Sequence, residues 1–283
     1  MADGVNSGWL SYCIPMPKSS LPVRIWRFLR LVFHLLAGVI EVGLYFPGRS
    51  AMARRHAVAR WSRRLVSIAA IEVRAQGHIP APTVEAAILV ANHVSWLDIF
   101  VMNAVVASRF VAKSEVRNWP LIGWLCERTG TLFISRERRQ DAARVNQAIA
   151  GALNDGDCVA VFPEGSTSDG FTLKPFNAAL LQPAVQAGAP IIPVALRYLD
   201  AYGRQTDIPA YVDDLSLVES VLRILAQRRL IAELTFLSPL PADGRHRREL
   251  AKAAEAAIAE VLSPPPAVPA AEKVSEIRAG LPA

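Results

Sequence analysis

The sequence predicts an α/β fold: a mixed, largely parallel sheet flanked by helices, preceded by an amphipathic two-helix element. Three observations predict it. From residue 71 onward, short apolar runs of strand length alternate with segments of helical periodicity, as when parallel strands are joined by crossover helices. Two of the runs, 86–91 and 158–162, are apolar without interruption, as in strands buried on both faces. Ahead of them, residues 21–68 hold two helix-length segments, each with apolar residues on one side and arginines on another.

In the first segment, residues 21–46, Trp26, Leu29, Phe33, Leu36 and Ile40 recur at spacings of 3, 4, 3 and 4 and form one stripe. Arg27, Arg30, His34 and Glu41 fall together elsewhere. The longest stretch without a formal charge, 31–40, is shorter than the roughly 20 residues a spanning helix needs. The expectation is a helix lying in a membrane interface, or a re-entrant hairpin bending at Gly38, Gly43 and Pro47-Gly48. The alternative is a helix packed on the protein's own core. No small-residue cleavage pattern marks a secretory signal. The second segment, 50–68, has Val58, Trp61, Leu65 and Ile68 as its apolar stripe and Arg54, Arg55, Arg60, Arg63 and Arg64 around the rest. Near an anionic surface each arginine contributes about 1 kcal/mol; a solvated basic face is the alternative.

Strands are expected at 71–75, 86–91, 109–112, 131–134, 158–162, 191–196 and 231–237. Helices are expected at 95–106, 121–127, 141–153, 177–187 and 245–262. Val145, Ile149 and Leu153 line one face of the third of these, and Gly188 and Pro190 stop the fourth. From 263 the chain reads SPPPAVPAA, a loose tail. The organisation is therefore a tail (1–20), a membrane-associating helical element (21–68), an α/β domain (69–262) and a Pro/Ala-rich tail (263–283).

With 52% hydrophobic and 20% charged residues, the 283-residue chain has material for a large core. Its net charge of +6 suits an anionic partner. Zinc-finger spacing, aromatic RNA-binding motifs and basic-region heptads are all lacking, so the expected partner is an anionic membrane surface and not nucleic acid. The three cysteines, Cys13, Cys126 and Cys158, lie far apart and are odd in number, against a disulfide framework and a four-cysteine zinc site. A reducing compartment fits them.

The chemistry concentrates where buried strand 86–91 ends, at Asn92-His-Val-Ser-Trp-Leu-Asp98. Carboxyl ends of strands are where α/β sheets place their sites. A carboxylate five residues after His93 can fold back onto its imidazole. Asp98 would then accept Nδ1–H and leave Nε2 as a general base. The spacing alone recurs by chance, and a core histidine beside a helix-capping aspartate is the alternative. Further blocks lie in order: Gly130-Thr-Leu-Phe-Ile-Ser-Arg136, Phe162-Pro-Glu-Gly165 running into Ser166-Thr-Ser-Asp-Gly170, and Ile191-Ile-Pro-Val194, whose proline suits only an edge, end or bulge of a sheet.

Together the four blocks, NHxSxxD, GxxFIxR, FPEG and IIPV, make the chain resemble the glycerolipid acyltransferase family, specifically bacterial lysophosphatidate acyltransferases, over about residues 60–240. The resemblance implies transfer of an acyl chain from acyl-CoA or acyl carrier protein to the sn-2 hydroxyl of a lysophospholipid, with no cofactor and no metal. It implies His93 as general base and Asp98 as its orienting partner. Lys113, Arg136 and Glu164, with Gly165, Ser166 and Thr167, would bind the acceptor, and Pro193 would lie on the acyl-donor side. It also implies an N-terminal two-helix element dipping into one leaflet, at the cytoplasmic face of the inner membrane. A thioester has a good leaving group, so no covalent acyl-enzyme is needed. Lys113 or a backbone N–H near Gly165 are the candidates for holding the oxyanion.

One position departs from the family pattern. The third block usually reads FPEGTRS, and here Thr167 stands where its phosphate-pairing arginine is expected, with Asp169 adding a negative charge. Threonine cannot give bidentate phosphate recognition. Lysophosphatidate remains the first expectation, and a lyso-ornithine lipid or a lysophosphodiester the alternative. Rival classes are a serine hydrolase, for which no G-x-S-x-G exists, a metal hydrolase, for which no ligand spacing exists, and a non-catalytic membrane-binding protein.

Overall fold

The computed structural model describes residues 18–81, 86–134 and 139–263. Its strands are β1 (Ile71–Gly77), β2 (Ile88–Ala91), β3 (Ser108–Lys113), β4 (Leu132–Ile134), β5 (Cys158–Val161), β6 (Ile191–Leu199) and β7 (Leu230–Phe236). They form one sheet in the order β1-β7-β6-β2-β5-β3-β4. Every pairing is parallel except β6 with β7. The mixed, largely parallel sheet is therefore as the sequence predicts. Strands β2, β3, β4, β5 and β6 run one way, so their carboxyl ends share one edge.

The uninterrupted apolar runs occupy the middle of the sheet because both faces are covered. Leu89, Ala91 and Ala160 face a cluster with Leu65, Val101 and Met102. Ile88, Val90, Val159 and Val161 face another with Ile149, Leu250 and Ala254. The first layer is α2 (Ala51–Ile68), α3 (Asp98–Val105) and α7 (Leu217–Leu225). The second is α5 (Arg139–Asn154), α6 (Gln182–Ala187) and α8 (Arg247–Leu262). Complete burial of each such Val, Ile or Leu is worth about 1.5–3 kcal/mol. The short helix α4 (Ile122–Arg128) lies near the β4 edge.

Three local expectations change. Helix α3 begins at Asp98 and not at 95, because the Asp98 carboxylate ties down the N–H groups of Val94 and Ser95 and holds the preceding residues as a loop. The helix expected at 177–187 is a 3₁₀ turn, Ala178–Leu181, followed by α6. Helix α7 was not expected, although its capping box, Ser216 with Glu219, is a legible start signal. Pro193 lies inside the sheet by strand order, paired with Val90. Its nitrogen points, like that of Ile191, toward the Leu237–Leu240 stretch, beyond the regular β6–β7 ladder that begins at Val194 and Phe236. The missing N–H therefore falls at a ladder end.

The N-terminal element is helical from α1 (Leu21–Ile40) through a π-helical turn, Glu41–Tyr45. The chain does not bend at Gly38 or Gly43; it turns at Pro47-Gly48 before α2. By length and composition Leu21–Tyr45 reaches what a membrane span requires, at a mean hydropathy of 1.7, although its longest uncharged run is shorter than a span. The predicted stripe faces outward: Trp26, Leu29, Phe33, Leu36 and Ile40 are 54–74% exposed. The opposite, narrower face packs inward through Leu31, His34 and Gly38. There His34 stacks on Trp61 with centroids 4.6 Å apart, and Trp61 Nε1 donates to the His34 carbonyl at 3.3 Å. Gly38 permits this crossing, since a Cβ there would collide with the Trp61 indole. Arg27 also turns inward, donating to the Gln227 carbonyl at 2.6 Å, so it braces α1 on the end of α7.

Candidate active site

The shared carboxyl edge of the parallel strands gathers the chemical residues. His93 follows β2, Phe162 and Glu164 follow β5, and Lys113 ends β3. Arg136, two residues past β4, lies outside the described residues.

His93 and Asp98 meet. The Nδ1 of His93 is 2.8 Å from Asp98 Oδ2, with Asp98 fully buried and the histidine side chain 19% exposed. Asp98 Oδ2 also accepts the backbone N–H of Val94 at 2.7 Å and of Ser95 at 2.9 Å. Its Oδ1 accepts the Tyr198 hydroxyl at 2.7 Å. Four donors surround one carboxylate, so its orientation is fixed and Nδ1 is the protonated nitrogen. Nε2 has no hydrogen-bond partner among the described residues. The imidazole is pinned from the side as well, stacked on Phe162 at 4.0 Å and 9°. Burial first, and then the facing Asp98, holds the Tyr198 phenol well above its ordinary value, so it remains a donor.

The glutamate of the second strand end also serves the histidine. Glu164 Oε1 accepts the His93 backbone N–H at 2.7 Å and Oε2 accepts that of Lys174 at 2.9 Å. Burial pushes its carboxyl above the usual carboxylate range, against those two N–H groups, which pull it down. The turn that presents it needs Gly165 at φ 74°, a conformation that favours glycine. The Gly165 N–H closes this turn on the Phe162 carbonyl at 3.1 Å. Ser168 then locks the third block onto the first, its N–H donating to the His93 carbonyl at 2.8 Å.

Near the position where arginine is expected, another cation is present. The Lys174 ammonium donates to the Thr167 carbonyl at 2.7 Å and to Ser166 Oγ at 3.1 Å. The Thr167 hydroxyl turns away and donates to the Tyr211 carbonyl. Asp169 is occupied as a turn former, accepting the N–H groups of Phe171 and Thr172 at 2.9 and 3.0 Å. Lys113 is exposed at the strand edge. Pro193 is buried and alternates with Ile192 and Val194, so it faces the α8 layer and not the layer that holds Asp98.

Sequence reasoning missed Tyr198 and Lys174. Tyr198 carried a faint signal, a hydroxyl in the apolar alternation of β6. Lys174 carried none, because its role depends on the fold of the 165–174 loop. Groups of three or more histidine, cysteine, aspartate or glutamate residues able to hold a metal do not occur among the described residues.

The profile of the Acyltransferase family matches residues 70–197, which contain His93, Asp98, Glu164 and Pro193. The 1-acyl-sn-glycerol-3-phosphate acyltransferase of Neisseria meningitidis is 39% identical over 222 residues, covering 78% of this chain and 85% of that protein. The lyso-ornithine lipid O-acyltransferase of Pseudomonas aeruginosa is 36% identical over 250 residues, covering 86% of this chain and 93% of that one. In fold, the crystal structure of the 1-acyl-sn-glycerophosphate acyltransferase PlsC from Thermotoga maritima aligns with a TM-score of 0.64 at 20% identity, covering 86% of this chain and 94% of the other.

Proposed function

The chain belongs to the bacterial acyltransferase family that contains these lysophosphatidate and lyso-ornithine lipid enzymes, and from that premise we propose that it transfers an acyl chain from a thioester donor, acyl-CoA or acyl carrier protein, to the free hydroxyl of lysophosphatidate. The observation that carries the proposal is the relay of Tyr198, Asp98 and His93, which leaves Nε2 of the histidine unpartnered at the strand edge.

His93 Nε2 takes the proton of the acceptor hydroxyl as its oxygen attacks the thioester carbonyl. Asp98 balances the imidazolium that forms. Collapse of the tetrahedral intermediate breaks the C–S bond, and the imidazolium returns its proton to the thiolate. The products are the ester and a free thiol. Lys113 is the donor assigned to the oxyanion, since the Gly165 N–H is used within its turn. Arg136 and Lys174 are assigned to the acceptor phosphate, with the Ser166 hydroxyl and the Thr167 carbonyl holding the Lys174 ammonium in place. Glu164 holds His93 by its backbone and keeps lone pairs for an acceptor hydroxyl. Pro193 shapes the donor side through the packing of β6. The exposed stripe of α1 lies in the bilayer interface at the cytoplasmic face, where acceptor and product reside.

A lyso-ornithine lipid acceptor is the second reading. Thr167 favours it, because the fork of an arginine is absent there.

The test is acyl transfer from labelled acyl-CoA, and from acyl carrier protein, to lysophosphatidate, a lysophosphodiester and lyso-ornithine lipid. Preferred transfer to lysophosphatidate is expected. Transfer confined to lyso-ornithine lipid would keep the mechanism and replace the acceptor.

A further inference from the structure

Between α1 and α2 lies a groove of about 800 Å³ that the transfer chemistry does not use. Trp26, Leu29 and Phe33 of α1, with Ile68 of α2, are its apolar lining. Arg30 of α1, interleaved with them, and Arg60, Arg63 and Arg64 of α2 are its basic lining. Two of these guanidinium groups are engaged. Arg60 pairs with Glu41 at 2.5 Å, and Arg63 donates to the Ala104 carbonyl at 3.4 Å. Arg30 and Arg64 make no side-chain hydrogen bond or ion pair among the described residues, and both are exposed. Among the described residues, the carboxylate paired with these four arginines is that of Glu41, which also pairs with Arg49. Their charge reaches His34 between the helices: burial first lowers its basicity, and Arg64 and Arg30 lower it further, against the Trp61 carbonyl and Glu41, which raise it.

This mixed lining selects a ligand by its chemistry. A free inorganic anion uses only the guanidinium groups, and an uncharged lipid only the apolar side chains. A phospholipid with an anionic headgroup uses both, since guanidinium forks match phosphate oxygens and the adjoining rings cover the first methylenes. Trp26, Leu29 and Phe33 also belong to the exposed stripe, so the groove opens directly onto the surface assigned to the bilayer.

We propose that this groove is a binding site for one anionic phospholipid of the membrane, its phosphate held by Arg30 and Arg64 and its chain laid along Trp26, Leu29 and Phe33. The site rests on the membrane-facing reading of α1 and is independent of the acyl-transfer chemistry. It makes retention on the membrane depend on anionic lipid at a defined stoichiometry, beyond general attraction to a charged surface.

The experiment uses the full chain and two double variants. R30Q/R64Q removes the site. R248Q/K252Q removes the same charge from exposed positions of α8, in the layer on the opposite face of the sheet. Calorimetric titration with dihexanoyl phosphatidylglycerol below its micelle concentration is expected to give one site, with affinity falling roughly 30-fold in R30Q/R64Q and unchanged in R248Q/K252Q. Dihexanoyl phosphatidylcholine and inorganic phosphate are expected to bind weakly to all three. In sedimentation with vesicles, adding phosphatidylglycerol to phosphatidylcholine should raise binding of the native chain and of R248Q/K252Q but not of R30Q/R64Q. Binding of R30Q/R64Q to neutral vesicles at the native level would separate loss of this site from loss of the membrane-facing stripe. Equal losses in the two double variants would overturn the proposal in favour of diffuse attraction. Inorganic phosphate binding as tightly as the lipid would overturn it in favour of a plain anion site.

Discussion

Asp98 accepts from four donors, and the most distant in sequence, Tyr198, makes the clearest prediction at the residue scale. Removing its hydroxyl in Tyr198→Phe leaves Asp98 Oδ1 without that donor inside the core. The expected cost is about 1–3 kcal/mol at neutral pH, read by denaturant unfolding. The same phenol sets an alkaline limit. Its value is raised on folding above the ordinary 10.0, so above about pH 10 the unfolded chain gives up a proton that the native state retains. Its contribution to stability is whole below pH 10 and is lost as pH climbs toward the folded value. Tyr198→Phe should flatten that fall, and an unchanged slope above pH 10 would contradict the assignment. At the headgroup, Lys174→Gln is expected to raise KM for lysophosphatidate about tenfold while leaving kcat within a few-fold, as for loss of a charge-assisted contact of ~1.4 kcal/mol. An unchanged KM would remove Lys174 from the acceptor pocket. His93 and Asp98 were legible because their contact spans five residues of a local turn. Tyr198 and Lys174 were not, since only the assembled sheet and the folded 165–174 loop bring them in.

At the scale of the element, the helical period of α1 was readable to the residue, and the stripe it defined is the stripe left exposed. What the period did not reveal was the inward face. The period places Arg27 and His34 on the charged side of an interfacial helix, yet Arg27 caps carbonyls at the end of α7 and His34 stacks on Trp61. Contacts to partners far along the chain leave no trace in a local pattern. Replacing two stripe residues in Leu29→Asp/Phe33→Asp should abolish sedimentation with neutral vesicles, because two charges would enter the apolar interface. Turnover of a soluble short-chain acceptor should remain near the native value. Retained sedimentation would assign the stripe to something other than lipid. Gly38→Leu should instead damage the crossing itself, since Trp61 would have to leave the α1–α2 contact. A midpoint of thermal unfolding lowered by several degrees is the expected result.

For the whole molecule, the alternation of strands and helices was enough to predict a largely parallel sheet with its site at the carboxyl edge. The reversal of β7 was not legible, because its apolar run reads the same in either direction. That reversal has a consequence for the site: it brings β7 antiparallel to the far half of β6, where Tyr198 pairs with Ala232 while its hydroxyl reaches Asp98. The sheet thus connects the site to the whole domain and holds His93 for proton transfer. The most direct measurement follows thiol release and acceptor acylation together, with labelled acyl-CoA and lysophosphatidate, in the native chain and in His93→Ala. One thiol per ester is expected in the native chain, with a parallel loss of both, about 10²–10⁴-fold, in a variant that still unfolds cooperatively. Acylation at the native rate by a folded His93→Ala protein would contradict this role for His93.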